Sequence, residues 1–212
     1  MKKGLTEVVF ILDRSGSMSG LEADTIGGFN SFIQKQKELE GECVVSTVLF
    51  NHSAQILHDR VELAKIEPLT AKEYVASGNT ALLDAVGGAI HHIGNIHKYS
   101  REENVPEKTI FVITTDGHEN ASRKYDYDRV KHQITRQQEK HGWEFLFLGA
   151  NIDAVGEAGR LGIRAERAVR YRCDRRGTDL NYSSVSDAVR TIRRSEVLTE
   201  EWKTDIEKYA GK

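Results

Sequence analysis

Val8-Val-Phe-Ile-Leu12, running straight into Asp13-Arg-Ser-Gly-Ser17, decides the fold of this 212-residue chain. An unbroken apolar run, mostly β-branched or aromatic, reads as a strand buried on both faces, the pattern of a central strand in a parallel sheet. Where the run stops, one carboxylate and two hydroxyls follow at alternate positions, an oxygen-rich set suited to a hard cation. Two other stretches have a related form. Ile110-Phe-Val-Ile113 leads into Thr114-Thr-Asp116-Gly117, and Ser77-Gly-Asn-Thr80 precedes a helix-like segment. Ligands of open α/β sheets bind at the carboxyl ends of strands near a topological switch point. If the strands ending at Asp13 and Asp116 are neighbours, the two carboxylates meet there.

Outward from this segment, Thr6 to Leu12, Cys43 to Phe50, Lys108 to Thr115 and Trp143 to Leu148 read as central strands, and Ala168 to Arg172 as a weaker last one. Ala54 to Val61 alternates more, and only Asn51-His-Ser53 separates it from the strand before, which predicts a hairpin and an antiparallel edge strand. Helical periodicity places Ile26, Phe29 and Ile33 on one face of a segment ending near Gly41. Leu82, Val86, Ile90 and Ile93 mark a second helix, in which Gly87-Gly88 predicts a close approach to the sheet. Asp128 to Lys140 and Ile152 to Leu161 follow, and Val185, Ala188, Val189 and Ile192 form a last stripe. The expected architecture is a Rossmann-like α/β three-layer sandwich: a mainly parallel central sheet, one antiparallel edge strand, and helices on both faces.

The 30 Lys and Arg are scattered among 32 Asp and Glu, and the net charge of −2 gives no field that favours nucleic acid. The basic run Arg170 to Arg176 reads as a solvated loop. Cys43 and Cys173 are expected to be free thiols in a reducing compartment, although one disulfide between them stays open. Asp13 interrupts the first apolar run too early for a signal peptide or membrane span, so the cytoplasm is the expected location and no membrane partner is expected. The tail from residue 196 to 212 carries Leu198, Trp202, Ile206 and Tyr209 at helical spacing among charges. It is expected to be an amphipathic helix packed on the domain formed by residues 1–195, with docking to a second subunit or a partner through Trp202 as the alternative.

Oxygen donors without a Cys/His cluster favour Mg²⁺, Mn²⁺ or Ca²⁺ over zinc. An Asp or Ser at a strand end also caps helices and tightens turns, so Asp13-x-Ser-x-Ser alone leaves cap and ligand equally open. Joined in this order by Thr80 and by Thr115-Asp116-Gly117, however, the pattern resembles the von Willebrand factor type A (vWA) domain family and its metal-ion-dependent adhesion site (MIDAS). The resemblance runs from about Thr6 to Ile192. It implies that Ser15 and Ser17 bind Mg²⁺ through their hydroxyls, that Asp13 and Asp116 hold it directly or through water, and that Thr80 is a ligand that comes and goes. It further implies a non-catalytic module in which a Glu or Asp of a partner protein completes the coordination. Met18 and Leu21 are candidates for an apolar border of this site, and His118, Glu119 and Asn120 for its rim, with ordinary loop roles as the alternative.

The competing reading is a metal-dependent hydrolase or phosphotransferase using His118 or Glu119 as a base beside the same metal. Ser15 stands where the haloacid-dehalogenase phosphatases need a second aspartate, and Ser15-Gly-Ser-Met-Ser-Gly20 is neither a dinucleotide fingerprint nor a P-loop. The sequence leaves the partner and the oligomeric state open.

Overall fold

The protein is described, in a computed structural model, over residues 1–211. Six strands form one sheet in the order β3-β2-β1-β4-β5-β6: β1 (Lys2–Asp13), β2 (Cys43–Phe50), β3 (Ala54–Glu62), β4 (Pro106–Thr115), β5 (Glu144–Ala150) and β6 (Ala168–Tyr171). Every pairing is parallel except β2 with β3, which are antiparallel and joined by the expected Asn51–Ser53 turn. Within that turn the Asn51 side-chain oxygen accepts the Ser53 N–H at 3.1 Å. Strand order reverses direction between β1 and β4, so the carboxyl ends of these two strands frame the switch-point crevice.

Helices α1 (Glu22–Lys37), α5 (Arg175–Arg193) and α6 (Thr204–Ala210) pack on one face, and α2 (Leu82–Tyr99), α3 (Tyr127–His141) and α4 (Ala154–Arg160) on the other. Successive side chains of a strand point to opposite faces. Val8, Phe10 and Leu12 therefore enter the first core, while Val9 and Ile11 enter the second, which is why this stretch has no polar face. The Phe10 ring meets Phe29 and Phe32 edge-on, with centroids 5.3 and 4.7 Å apart. On the far face Phe111 stacks between Trp143 and Phe145 at 5.3 and 4.9 Å. Each such ring contributes about 2–3 kcal/mol by leaving water.

At the end of β1 away from Asp13, the fully buried Glu7 is paired with Arg60 Nε (3.0 Å) and His97 Nε2 (2.6 Å). Burying this carboxylate unpaired would cost several kcal/mol. Arg60 reaches it from a left-handed backbone position (φ 52°) where the β2–β3 register shifts.

Four local expectations are corrected. Helix α1 ends at Lys37, before Gly41, whose φ of 94° instead turns the chain into β2. The exposed carbonyls there are satisfied from afar, because the Arg193 guanidinium donates to those of Gln36, Glu40 and Gly41. Gly87 does make a close approach, but to Tyr125 and not to the sheet: a β-carbon would collide with that ring, whereas Gly88 faces open space. The basic run is not a loop. Arg170 and Tyr171 belong to β6, and Arg175 and Arg176 open α5, whose N-cap Asp174 accepts the Gly177 N–H at 2.8 Å. Lastly, Met18 lies in the core, 4% exposed, and Leu21 packs half-buried against the same cluster instead of forming a border.

Beyond α5, a 3-10 turn (Glu200–Lys203) leads into α6. Leu198 and Ile206 are buried in the first core, the Trp202 indole donates to the Glu166 carbonyl at 2.9 Å, and the Tyr209 hydroxyl binds the Asp174 carboxylate. Lys212, the last residue of the expected tail, lies outside the described residues. Both cysteines are free, Cys43 buried and Cys173 half-buried. Among the described residues no helix is long and apolar enough to cross a membrane.

Candidate metal centre

The register of β1 and β4 pairs Leu12 with Thr114, which sets Asp13 beside Thr115 at the ends of the two strands. The Thr115 hydroxyl donates to Asp13 Oδ2 at 2.6 Å. The other oxygen, Oδ1, accepts the Ser15 N–H at 2.7 Å, a side-chain turn that bends the chain sharply out of the sheet. After this bend the Ser15 and Ser17 hydroxyl oxygens lie 3.0 Å apart, and the Ser17 hydroxyl donates to Asp116 Oδ1. The two loops are thus linked by a chain of hydrogen bonds from Thr115 through Asp13, Ser15 and Ser17 to Asp116.

Thr80 arrives on a third loop that is bound to the first through its backbone. Ser77 N–H donates to the Arg14 carbonyl and Gly16 N–H to the Gly78 carbonyl, each at 2.8 Å. Asn120 then grips Thr80 from the other side: its side-chain oxygen accepts the Thr80 N–H at 2.9 Å and its N–H donates to the Thr80 carbonyl at 3.0 Å. Gly117 shows how tightly the loops converge. A β-carbon at that position would sit 3.2 Å from the Thr80 hydroxyl oxygen and 3.3 Å from that of Ser17. Both hydroxyls therefore close on one point, and a side chain at residue 117 would crowd it.

All five expected site residues are brought together at this end of the sheet: Asp13, Ser15, Thr80 and Asp116 buried, Ser17 exposed. Burial pushes the Asp13 carboxyl above its ordinary value, opposed by the hydrogen bonds from Thr115 and Ser15. Burial also raises Asp116, the nearby Asp13 charge adds to the rise, and the Ser17 hydroxyl opposes it. Asp116 Oδ2 is buried with no hydrogen-bond partner among the described residues. Such an orphaned acceptor demands an explanation, and an ion is one of the few available. The donor set of two carboxylates and three hydroxyls fits a hard divalent cation, and among the described residues no group of three or more His, Cys, Asp or Glu side chains is placed to hold one instead.

The rim residues divide by role. His118 is exposed. Glu119 is fully engaged: it accepts N–H groups of Leu83, Ala121 and Ser122 and the Ser122 hydroxyl at 2.7–2.9 Å. It thereby supplies the cap that α2 lacks locally, since Ala81 at its N-cap offers no side-chain acceptor. Asp84 returns the contact, accepting the N–H groups of Arg123, Lys124 and Tyr125 at 2.8–3.0 Å. The reading of the sequence passed over Thr115 as a bridging hydroxyl, although its place one residue before Asp116 signals it. It also missed Tyr74, whose buried hydroxyl donates to the Asp13 carbonyl from a loop with no recognisable motif.

The sequence matches no family model and no curated protein. Solved structures do match. The chain is similar to proximal thread matrix protein 1 of the mussel byssus (17% identity, TM-score 0.57), covering 88% of this chain and 46% of that one. It is similar to a von Willebrand factor type A structure from Catenulispora acidiphila (15% identity, TM-score 0.56, 86% of this chain and 42% of that one). A third match is the vWF domain of the type V pili tip protein Mfa5 from Porphyromonas gingivalis (12% identity, TM-score 0.61, 92% and 98%). The chain spans less than half the length of the first two. At these identities the likeness is one of fold: the protein shares the α/β fold of vWA domains. One structure of the mussel protein carries zinc in its MIDAS motif.

Proposed function

We propose that this protein is a non-catalytic interaction module of the vWA type, which binds Mg²⁺ through a MIDAS made of Asp13, Ser15, Ser17, Thr80 and Asp116 and grips a partner protein by an acidic side chain. The observation that carries this reading is the orphaned Asp116 Oδ2 beside hydroxyls converging from separate loops. Bound Mg²⁺ would supply a positive centre that an outside carboxylate can complete. Neutral hydroxyls leave that centre more of its charge than carboxylate ligands would, and so favour an anionic newcomer. Asn120 fixes the peptide of Thr80, whose side-chain hydroxyl lies, like that of Ser17, against Gly117. Mn²⁺ and Ca²⁺ are the alternative ions.

A catalytic use of the same site loses one of its two candidate bases, because the Glu119 carboxylate is consumed in capping α2 and the loop around it, which leaves the exposed His118. The test is Mn²⁺ titration followed by electron paramagnetic resonance, competed with Mg²⁺. One saturable site, displaced by Mg²⁺ and lost in Asp13→Ala and Asp116→Ala, is the expected result. Binding that survives both substitutions overturns the assignment, and partner capture that persists in excess EDTA overturns the proposed mode of gripping.

A further inference from the structure

A groove of about 840 Å³ starts beside the Thr80 loop, where Asn79 and Asn120 line it, and runs between α2 and the β2–β3 hairpin. Its bed is apolar and small: Val48 and Ala85 lie along it, and Gly88, which has open space where a side chain would stand, keeps it deep. The half-exposed Ile56 of the edge strand β3 forms one wall. Charges around the groove are unequally committed. Asp84 accepts three backbone N–H groups and Asp59 is paired with His92 at 3.0 Å, whereas neither Arg123 nor Lys124, both exposed, forms a salt bridge among the described residues. Both acidic groups of the groove thus have partners within the protein, whereas the Arg123 and Lys124 side chains have no ion-pair partner among the described residues.

We infer that this groove seats an extended, acidic segment of the partner protein, whose terminal Asp or Glu enters the metal site while further carboxylates meet Arg123 and Lys124. The inference rests on the metal-dependent reading above and adds the chemistry of the partner to it. Continuity carries the argument first: Asn79 and Asn120 flank the Thr80 ligand position and are also the near end of the groove, so a chain whose carboxylate reaches the metal has this channel in front of it. Shape comes second, because a trough floored by Val48, Ala85 and Gly88 and walled by the edge strand β3 suits an extended backbone. Charge comes third, through Arg123 and Lys124.

The experiment uses the full chain with saturating Mg²⁺ and three fluorescein-labelled probes: an oligoglutamate peptide, a Gly/Ser peptide of equal length with a single Glu, and an oligouridylate of similar charge. Oligoglutamate is expected to bind tightest, with its anisotropy signal lost in EDTA. Arg123→Glu with Lys124→Glu should weaken it about fivefold to thirtyfold, the upper end for two exposed ion pairs, and leave the single-Glu peptide unchanged. Gly88→Leu, which fills the groove without altering any charge, should weaken both peptides while Mn²⁺ binding stays at the wild-type level. Equal binding of the two peptides, or indifference to both variants, overturns the groove while leaving the metal site standing. Absence of Mn²⁺ binding in the wild type instead overturns the underlying reading. Preferential, EDTA-resistant binding of oligouridylate would assign the cations to nucleic acid and refute the acidic partner.

Discussion

Asp116→Asn separates the electrostatic from the steric contribution of the site. The amide keeps the size of the carboxylate and an oxygen able to accept the Ser17 hydroxyl, but removes one of the two negative charges facing the cation position. For the wild type, Mg²⁺ at about a hundred times its dissociation constant stabilises the folded state by about 2.7 kcal/mol. In a chain of this size that raises Tm by about 5–11 °C. Loss of an orienting or outer carboxylate weakens metal sites by about 10- to 100-fold. At the same Mg²⁺ concentration the linkage in Asp116→Asn then falls to about 0.4–1.4 kcal/mol, a shift of about 1–6 °C. Scanning calorimetry with and without Mg²⁺ reads both numbers. The sign of the pH dependence follows from the raised carboxyls of Asp13 and Asp116. A folded-state pKa above the unfolded value means that burial favours the protonated form, so the metal-free protein loses stability as pH rises from the unfolded value through the folded one. Mg²⁺ binds the ionised form, so its stabilising shift should be largest above that window and fade as acid protonates the pair. An equal Mg²⁺ shift in wild type and variant, or one that grows on acidification, would refute the reasoning.

Gly87→Ala should destabilise the protein by about 1–3 kcal/mol in urea unfolding, because the new methyl meets the Tyr125 ring, whereas Gly88→Ala should stabilise it by up to about 1 kcal/mol, since nothing opposes the gain in helix propensity. Glu119→Ala should cost about 1–2 kcal/mol by uncapping α2 yet leave Mn²⁺ affinity within a few-fold of wild type; a loss of metal binding with unchanged stability would instead place Glu119 at the metal. Tyr74→Phe should lower stability by about 1 kcal/mol through the unpaired Asp13 carbonyl, measured as a shift in the urea midpoint at constant slope.

What the sequence by itself determined was whatever rests on local periodicity and on strand ends. The doubly buried run before Asp13 identified a central strand. The three-residue Asn51–Ser53 link specified the antiparallel edge, and the order Asp13, Ser15, Ser17, Thr80, Asp116 specified which side chains to watch. The helix boundaries at Gly41 and Arg175 were not legible. Both are fixed by partners distant in the chain or by a cap read only in context, namely Arg193 on the carbonyls after α1 and Asp174 ahead of α5. Gly87 was legible as a close approach but not its object, since Tyr125 lies in a loop far along the chain. Only the tertiary structure decided that Thr115, Asn120 and Tyr74 hold the site together, and that Glu119 works as a cap. Those roles depend on which loop ends the β1–β4 register and the switch point bring face to face, and a pairing between strands about a hundred residues apart is set by the packing of the whole sheet, not by any local signal.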